Sequence, residues 1–400
     1  MTAVGGVAPG ALRRTFAPPA VMWVVLGIIG WTALVALASR MLATQPPTAG
    51  FDLELLLEAG RRVAAGQSPY EPALVAGAVV QAESLFYSYP PPVAQVMRLL
   101  AGMPIGLVLL GWGAGATAAT ATVAVVVARR LGWTGTAAGL ALPTVAVLPF
   151  VFPFAVALLF GNLDAWFPAV YGLLLVAAVR PAGGAVRAAG VSLAAASVAK
   201  LHPASLAVWF VLRGSAERRV AVIAAIAAIV IVAVSIVAGG LDPWRDYLAV
   251  VAAGSRADLL DGRNMAPAVQ LALLAGASEA AVRVVQAVVS VGAVALTAWA
   301  AVRRSDPVES LAWAAVASLV TLPVTWFHYP VALIPFGVAA VVRSQAGAAV
   351  TRRRTRLLIA GAVGVSIVAI GFAPLVWVAV ALVLVAVVLS RPTAPTRLPR

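Results

Sequence analysis

Long apolar stretches, separated by only a few charges at a time, recur from Ala20 to Leu389 and leave this 400-residue chain few folds to choose from. Inside a bilayer every backbone N–H and C=O must be satisfied within a helix or a closed barrel, and a helix needs about 20 apolar residues to cross. With 62% apolar and 10% charged residues and a mean hydropathy of +1.01, the composition is that of a polytopic membrane protein rather than a soluble core. About twelve segments fit the helical template. The clearest are Ala20 to Ser39, Ile105 to Ala128, Thr136 to Leu159, Val220 to Ala238, Ala280 to Val302, Leu357 to Phe372 and Leu375 to Leu389. Shorter ones are Ala165 to Val179, Leu311 to Leu322 and Pro330 to Val342, and Arg187 to Arg213 reads as a two-limbed hairpin broken at KLHP, Lys200 to Pro203.

Basic residues set the orientation. With the N-terminus in the cytoplasm, most of the 28 basic residues fall inside, among them Arg13, Arg14, Arg129, Arg130, Arg303, Arg304 and the run from Arg352 to Arg356. Of the 14 acids only Glu217, Asp306 and Glu309 share that side. The positive-inside rule therefore predicts both termini cytoplasmic, and the +14 net charge calls for inner-leaflet headgroups rather than nucleic acid. Arg13 and Arg14 before an apolar run imitate a twin-arginine signal. The run is longer than a signal-peptide core and more spans follow, so it reads as a retained signal anchor. Cysteine is absent, which removes disulfide and thiolate chemistry.

One integral domain is expected. It has a cytoplasmic segment over 1–19, a first outer loop over 40–104, a second over 239–278 and a cytoplasmic tail over 390–400. Nearly all unusual polar residues outside the cytoplasmic loops lie in the outer loops, two short outer tips and the KLHP break, so function is expected on the outer face. No internal repeat of the kind found in many transporters is evident.

Five constellations stand out. In FDLELLLEAGRRVAAGQSPY, Phe51 to Tyr70, helical spacing puts Asp52, Leu56, Ala59 and Val63 on one stripe and Glu54, Glu58, Arg61 and Arg62 opposite, an amphipathic helix suited to a membrane surface. Two roles are open to Asp52 and they are compatible: an N-cap, or a general base taking a proton from a sugar hydroxyl. GQSPY, Gly66 to Tyr70, supplies the turn that ends the helix. Pro90, Pro91 and Pro92 read as a stiff extended connector, with Tyr87 and Tyr89 as interfacial anchors. In FGNLDAW, Phe160 to Trp166, Asn162 and Asp164 either cap the next helix or bind substrate. Lys200 and His202 lie near membrane depth, where an ionisable residue is a functional hypothesis. Lys200 either snorkels to the surface or neutralises a lipid phosphate. WFHYP, Trp326 to Pro330, holds the second of two histidines, His328, as interfacial packing or as a site residue. No zinc pattern is present, and no metal or cofactor is expected.

In order along the chain, these pieces resemble the polyprenyl-phosphate-sugar-dependent glycosyltransferases of family 87, a group once labelled a domain of unknown function and typified by mannosyltransferases. The matching elements are Asp52 with Gly66 and Tyr70; Tyr89 to Pro91; Gly161 and Asn162; Lys200, Leu201 and Pro203; RNMA, Arg263 to Ala266; and PVTWFH, Pro323 to His328. Where members read G-Q-x-N, K-L-T-P and W-x-H-H, this chain has GNLD, KLHP and WFHY, changes that bear on acceptor and sugar identity rather than fold.

The resemblance implies an all-α polytopic membrane enzyme of GT-C architecture with an outward-facing site. It implies a lipid-linked hexose donor, most typically mannose, a glycolipid or glycan acceptor, and inversion from a β-linked donor to an α-linked product in the plasma membrane. On that resemblance Asp52 is the expected base, with Lys200, Arg263 and His202 at the donor phosphate. Tyr70, Tyr89, Asn162, Asp164, Asn264, Trp326 and His328 are expected around the substrates, His328 or His202 as an orienting or phosphate-contacting group. Two other classes fit the hydropathy alone: a secondary transporter, and a scaffold or partner for glycolipid export.

Overall fold

Proline and glycine, more than hydropathy, decide how the apolar segments are cut. The computed structural model describes residues 20–45, 48–77, 86–257 and 264–391, and among these every regular element is helical. Four helices are long and apolar enough to cross a membrane: Ala20–Leu42, Ile105–Arg130, Ser215–Gly239 and Glu279–Arg303. The expected span from Thr136 to Leu159 is instead the pair Ala138–Phe150 and Phe152–Phe160, bent by 75°. Pro149 and Pro153 flank the bend at Val151, which is extended, and prolines lack the N–H that would continue the ladder. Leu163–Val179, Gly183–Ala199, Tyr329–Ser344 and Val376–Leu389 are apolar but shorter. Each of the twelve expected segments contains a helix, and among the described residues four of these helices, or five with the bent pair taken as one, have by themselves the length and composition of a full span.

Short helices survive at membrane depth where protein surrounds them. Within Leu163–Val179, Tyr171, Leu174 and Leu175 are buried, and a Cβ on Gly172 would stand 1.9 Å from Val123 Cγ1 of Ile105–Arg130. Two interior aromatic residues have their polar tips paired, Tyr171 Oη with Ser318 Oγ and Trp209 Nε1 with Ser310 Oγ, both at 2.8 Å. The long helices leave Ile229, Val237 and Val291 exposed, side chains that lipid tails accommodate without cost. Two of the three acids expected on the cytoplasmic side serve as internal counterions. Asp306 pairs with Arg343, and buried Glu309 faces Arg304 at 3.6 Å and Arg391.

The chain between the helices Ala20–Leu42 and Ile105–Arg130 is organised by the helix Phe51–Ala64, whose apolar face packs on protein. Leu53, Leu56, Leu57 and Ala59 are buried, and a Cβ on Gly60 would meet the backbone of Met97 and Arg98 at 2.7 Å. The expected polar face is present: Glu58 is exposed and Arg61 bridges Glu54 and Glu58. The capping expectation for Asp52 is corrected. The N-cap is Gly50, at φ 71°, and its N–H bonds to Leu159 O at 2.7 Å, tying the helix start to the end of Phe152–Phe160. GQSPY does end the helix, with Gly66 at φ 74° and Gln67 N–H on Arg62 O at 2.9 Å. The three prolines are not all extended: only Pro90 is, while Pro91 and Pro92 open the helix Pro91–Met97, the first-turn position where a missing N–H costs nothing. Residues 1–19 and 392–400 lie outside the described residues.

Candidate active site

The site grows from the chain chemistry of FGNLDAW. The helix Phe152–Phe160 ends at Gly161, φ 66°. Gly161 N–H bonds to Leu158 O at 3.0 Å and Asn162 N–H to Ala157 O at 2.8 Å, the paired C-terminal closure that left-handed glycine allows. A side chain is barred there twice, by the positive φ and because a Cβ would lie 2.5 Å from Leu53 Cβ. Asn162 then caps the turn Leu163–Trp166, its Oδ1 accepting Asp164 N–H at 2.9 Å. Trp112 Nε1 holds the Asn162 carbonyl at 3.1 Å.

Capping fixes the amide of Asn162. Its Oδ1 also accepts from Lys200 Nζ at 3.3 Å, so its Nδ2 is turned to Asp52 Oδ2, 2.6 Å away. Lys200, extended where Gly183–Ala199 breaks at KLHP, does not snorkel. Its side chain is only 10% exposed and its Nζ lies 2.8 Å from Asp164 Oδ1 and 4.6 Å from the Tyr329 ring, a cation–π distance. The other Asp164 oxygen stands 3.1 Å from His328 Nε2. Asp52, Asn162, Lys200, Asp164 and His328 thus form one continuous polar chain drawn from four segments.

A cavity of about 480 Å³ opens along this chain, within the range of about 300 to 1,000 Å³ typical of small-molecule sites. Asp52, Tyr89, Asn162, Lys200, Trp326 and His328 line it together, six of the eleven residues picked out by sequence. Asp52 belongs to the helix Phe51–Ala64, apart from the apolar spans. Burial pushes its pKa above the ordinary carboxylate value, against the opposing pull of His328, the Asn162 hydrogen bond and Lys200.

Four of the other five expected residues stand behind the wall. Asp164 is wholly buried and reaches the cavity only through Lys200 and His328. His202, also buried, is stacked on Tyr329 at 4.8 Å and against Phe167 at 5.3 Å, a position that supports the wall. Tyr70 is buried and donates to Tyr89 O at 2.8 Å, fixing the backbone of a lining residue. Asn264 clamps the chain ahead of the helix Pro267–Leu274 to the PVTW segment: it accepts from Ala266 N–H and Thr325 N–H, both at 3.0 Å, and donates to Pro323 O at 2.9 Å. Arg263 lies outside the described residues. Among the described residues no group of three His, Cys, Asp or Glu is placed to hold a metal ion.

Sequence reasoning passed over the aromatic part of the wall. Phe51 and Phe160 meet at 4.3 Å and Phe160 meets Phe327 at 6.2 Å, and all three line the cavity with Tyr329, Tyr247 and Ser88. Phe51, Phe160, Phe327 and Tyr329 adjoin motif residues and could have been found by that adjacency. Tyr247, in the helix Asp242–Ala257, carries no such signal.

The model for glycosyltransferase family 87 matches residues 87–326, more than half of the chain, and no curated protein matches it. The chain therefore belongs to glycosyltransferase family 87 and is a membrane glycosyltransferase.

Proposed function

We propose that this member of glycosyltransferase family 87 transfers a hexose, mannose in the first instance, from a polyprenyl-phosphate donor to a glycolipid or glycan acceptor at the outer face of the plasma membrane. The observation that carries the reading is the placement of the Asp52 carboxylate and the Lys200 ammonium on one cavity, joined through the amide of Asn162. A base and a fixed cation on the same small space are what displacement at an anomeric carbon with a phosphate leaving group requires.

The bond between the anomeric carbon and the phosphate oxygen breaks, and its electron pair leaves with the phosphate. The acceptor oxygen forms the new bond from the opposite side, inverting the centre, and its proton passes to Asp52. Because Asp52 Oδ2 already accepts from Asn162, Oδ1 is the oxygen that takes it. Lys200 and His328 meet the growing phosphate charge, Lys200 as a fixed cation and His328 as a hydrogen-bond donor, with Arg263 in the same role as Lys200; preorganised charge and donors of this kind are commonly the largest catalytic contribution. Tyr89, Trp326 and the phenylalanines flank the sugar and the first isoprene units. The whole chain acts as one domain, with both termini cytoplasmic.

Since the chain has no cysteine, one engineered thiol reads both site and side. Ser88→Cys, at an exposed position on the cavity, should react with a membrane-impermeant maleimide in intact cells, and polyprenyl-phosphate mannose should protect it. Labelling only after permeabilisation reverses the orientation, and undiminished labelling with saturating donor removes the cavity as donor site.

A further inference from the structure

We infer that Asp164 is a positioning residue that never touches substrate: it sets Lys200 and His328 at a fixed separation so that they act as a two-point clamp on one phosphate. The inference rests on the reading that these two side chains meet the donor phosphate. Asp164 is wholly buried, yet each carboxylate oxygen serves a different cavity residue, Oδ1 the ammonium of Lys200 at 2.8 Å and Oδ2 the imidazole of His328 at 3.1 Å. Those partners come from separate parts of the chain, the KLHP break and the WFHYP turn, and no hydrogen bond or ion pair joins them directly. A lysine stem has wide rotamer freedom in an open cavity, and a carboxylate on a short, rigid turn removes it. Asp164 is rigid for a stated reason: it sits inside the turn Leu163–Trp166, and its own N–H is held by Asn162 Oδ1 at 2.9 Å. The same Asn162 holds Asp52, so the clamp and the base share one frame. Standing behind Lys200 and His328 rather than between them and the cavity, the Asp164 carboxylate orients both without placing its own charge against the phosphate.

The test is Asp164→Asn in the full-length enzyme in vesicles, with polyprenyl-phosphate mannose as donor. Losing one charge-assisted contact from the frame should raise donor KM by about 10- to 100-fold and leave acceptor KM within about twofold. Because Asp164 acts through His328, Asp164→Asn combined with His328→Gln should lose less than the product of the two single losses. A donor KM that stays put, a rise shared equally by both substrates, or a fully multiplicative double variant overturns the proposal. If Asp164→Asn does not assemble in the membrane, Asp164→Glu replaces it, keeping the charge while displacing both Lys200 and His328, with the same split of KM values expected. A wild type that ignores lipid-linked donors overturns the functional reading and this proposal with it; an active wild type with an unmoved donor KM overturns this proposal alone.

Discussion

Asp52→Asn should insert, fold and bind donor normally while losing transfer by about 100- to 10,000-fold, the usual loss when a general base is removed. The structure says why the fold should survive. Asp52 caps nothing, the cap being Gly50, and an asparagine oxygen can accept the bond from Asn162 that Oδ2 now accepts. Burial already disfavours the charged carboxylate, so a neutral amide of the same shape should not lower the melting temperature. The same raised pKa has a pH consequence. The base works only when ionised, so kcat/KM should rise with pH through the Asp52 pKa, and this acid limb should lie above the ordinary carboxylate value of 3.8. Near-normal turnover by Asp52→Asn, or an acid limb at or below that value, removes Asp52 from the role of base.

Lys200→Ala should damage both stability and donor binding, and the two effects separate. Its removal leaves Asp164, wholly buried, without its 2.8 Å partner. Stripping one partner from a buried ion pair typically costs about 3 to 5 kcal/mol, which should appear as a lowered melting temperature. In assays below that temperature donor KM should rise more than acceptor KM, since the missing charge faces the phosphate. Lys200→Arg should restore part of both losses, as the guanidinium keeps the charge but spreads it over a planar fork that does not match the spacing to Asp164 and Asn162. A Lys200→Ala enzyme with unchanged melting, donor KM and kcat would mean that the pair contributes nothing.

How much of this is legible in the sequence depends on which force decides each element. Membrane class and helix positions follow from hydropathy and are readable, but the number of full spans is not. Pro149 and Pro153 bend one segment by 75°, and only the surrounding packing decides how half-length helices are accommodated. Asp52 is readable because an acid on an apolar stripe serves neither packing nor solubility. Its partner is not, because 110 positions separate Asp52 from Asn162 and no periodicity connects them. Two of the motif residues that stand behind the wall, Asn264 and Tyr70, share one cause. Irregular loops buried against helices expose backbone donors and acceptors that need partners, and Asn264 and Tyr70 supply them. A polar residue in a motif therefore marks either a ligand contact or the repair of a loop, and only the fold distinguishes the two. His202 is a third case, an aromatic ring by use: it is stacked on Tyr329, the ring beneath the Lys200 ammonium.

The most direct measurement supplies purified protein in vesicles with radiolabelled mannose on polyprenyl phosphate and, separately, on a nucleotide, and follows label both into glycan or glycolipid acceptor and across the vesicle wall. The account predicts transfer from the lipid-linked donor alone, dependent on Asp52 and without passage of sugar into the lumen. Transfer from the nucleotide donor, or accumulation of sugar inside the vesicles with no new glycosidic bond, would contradict it.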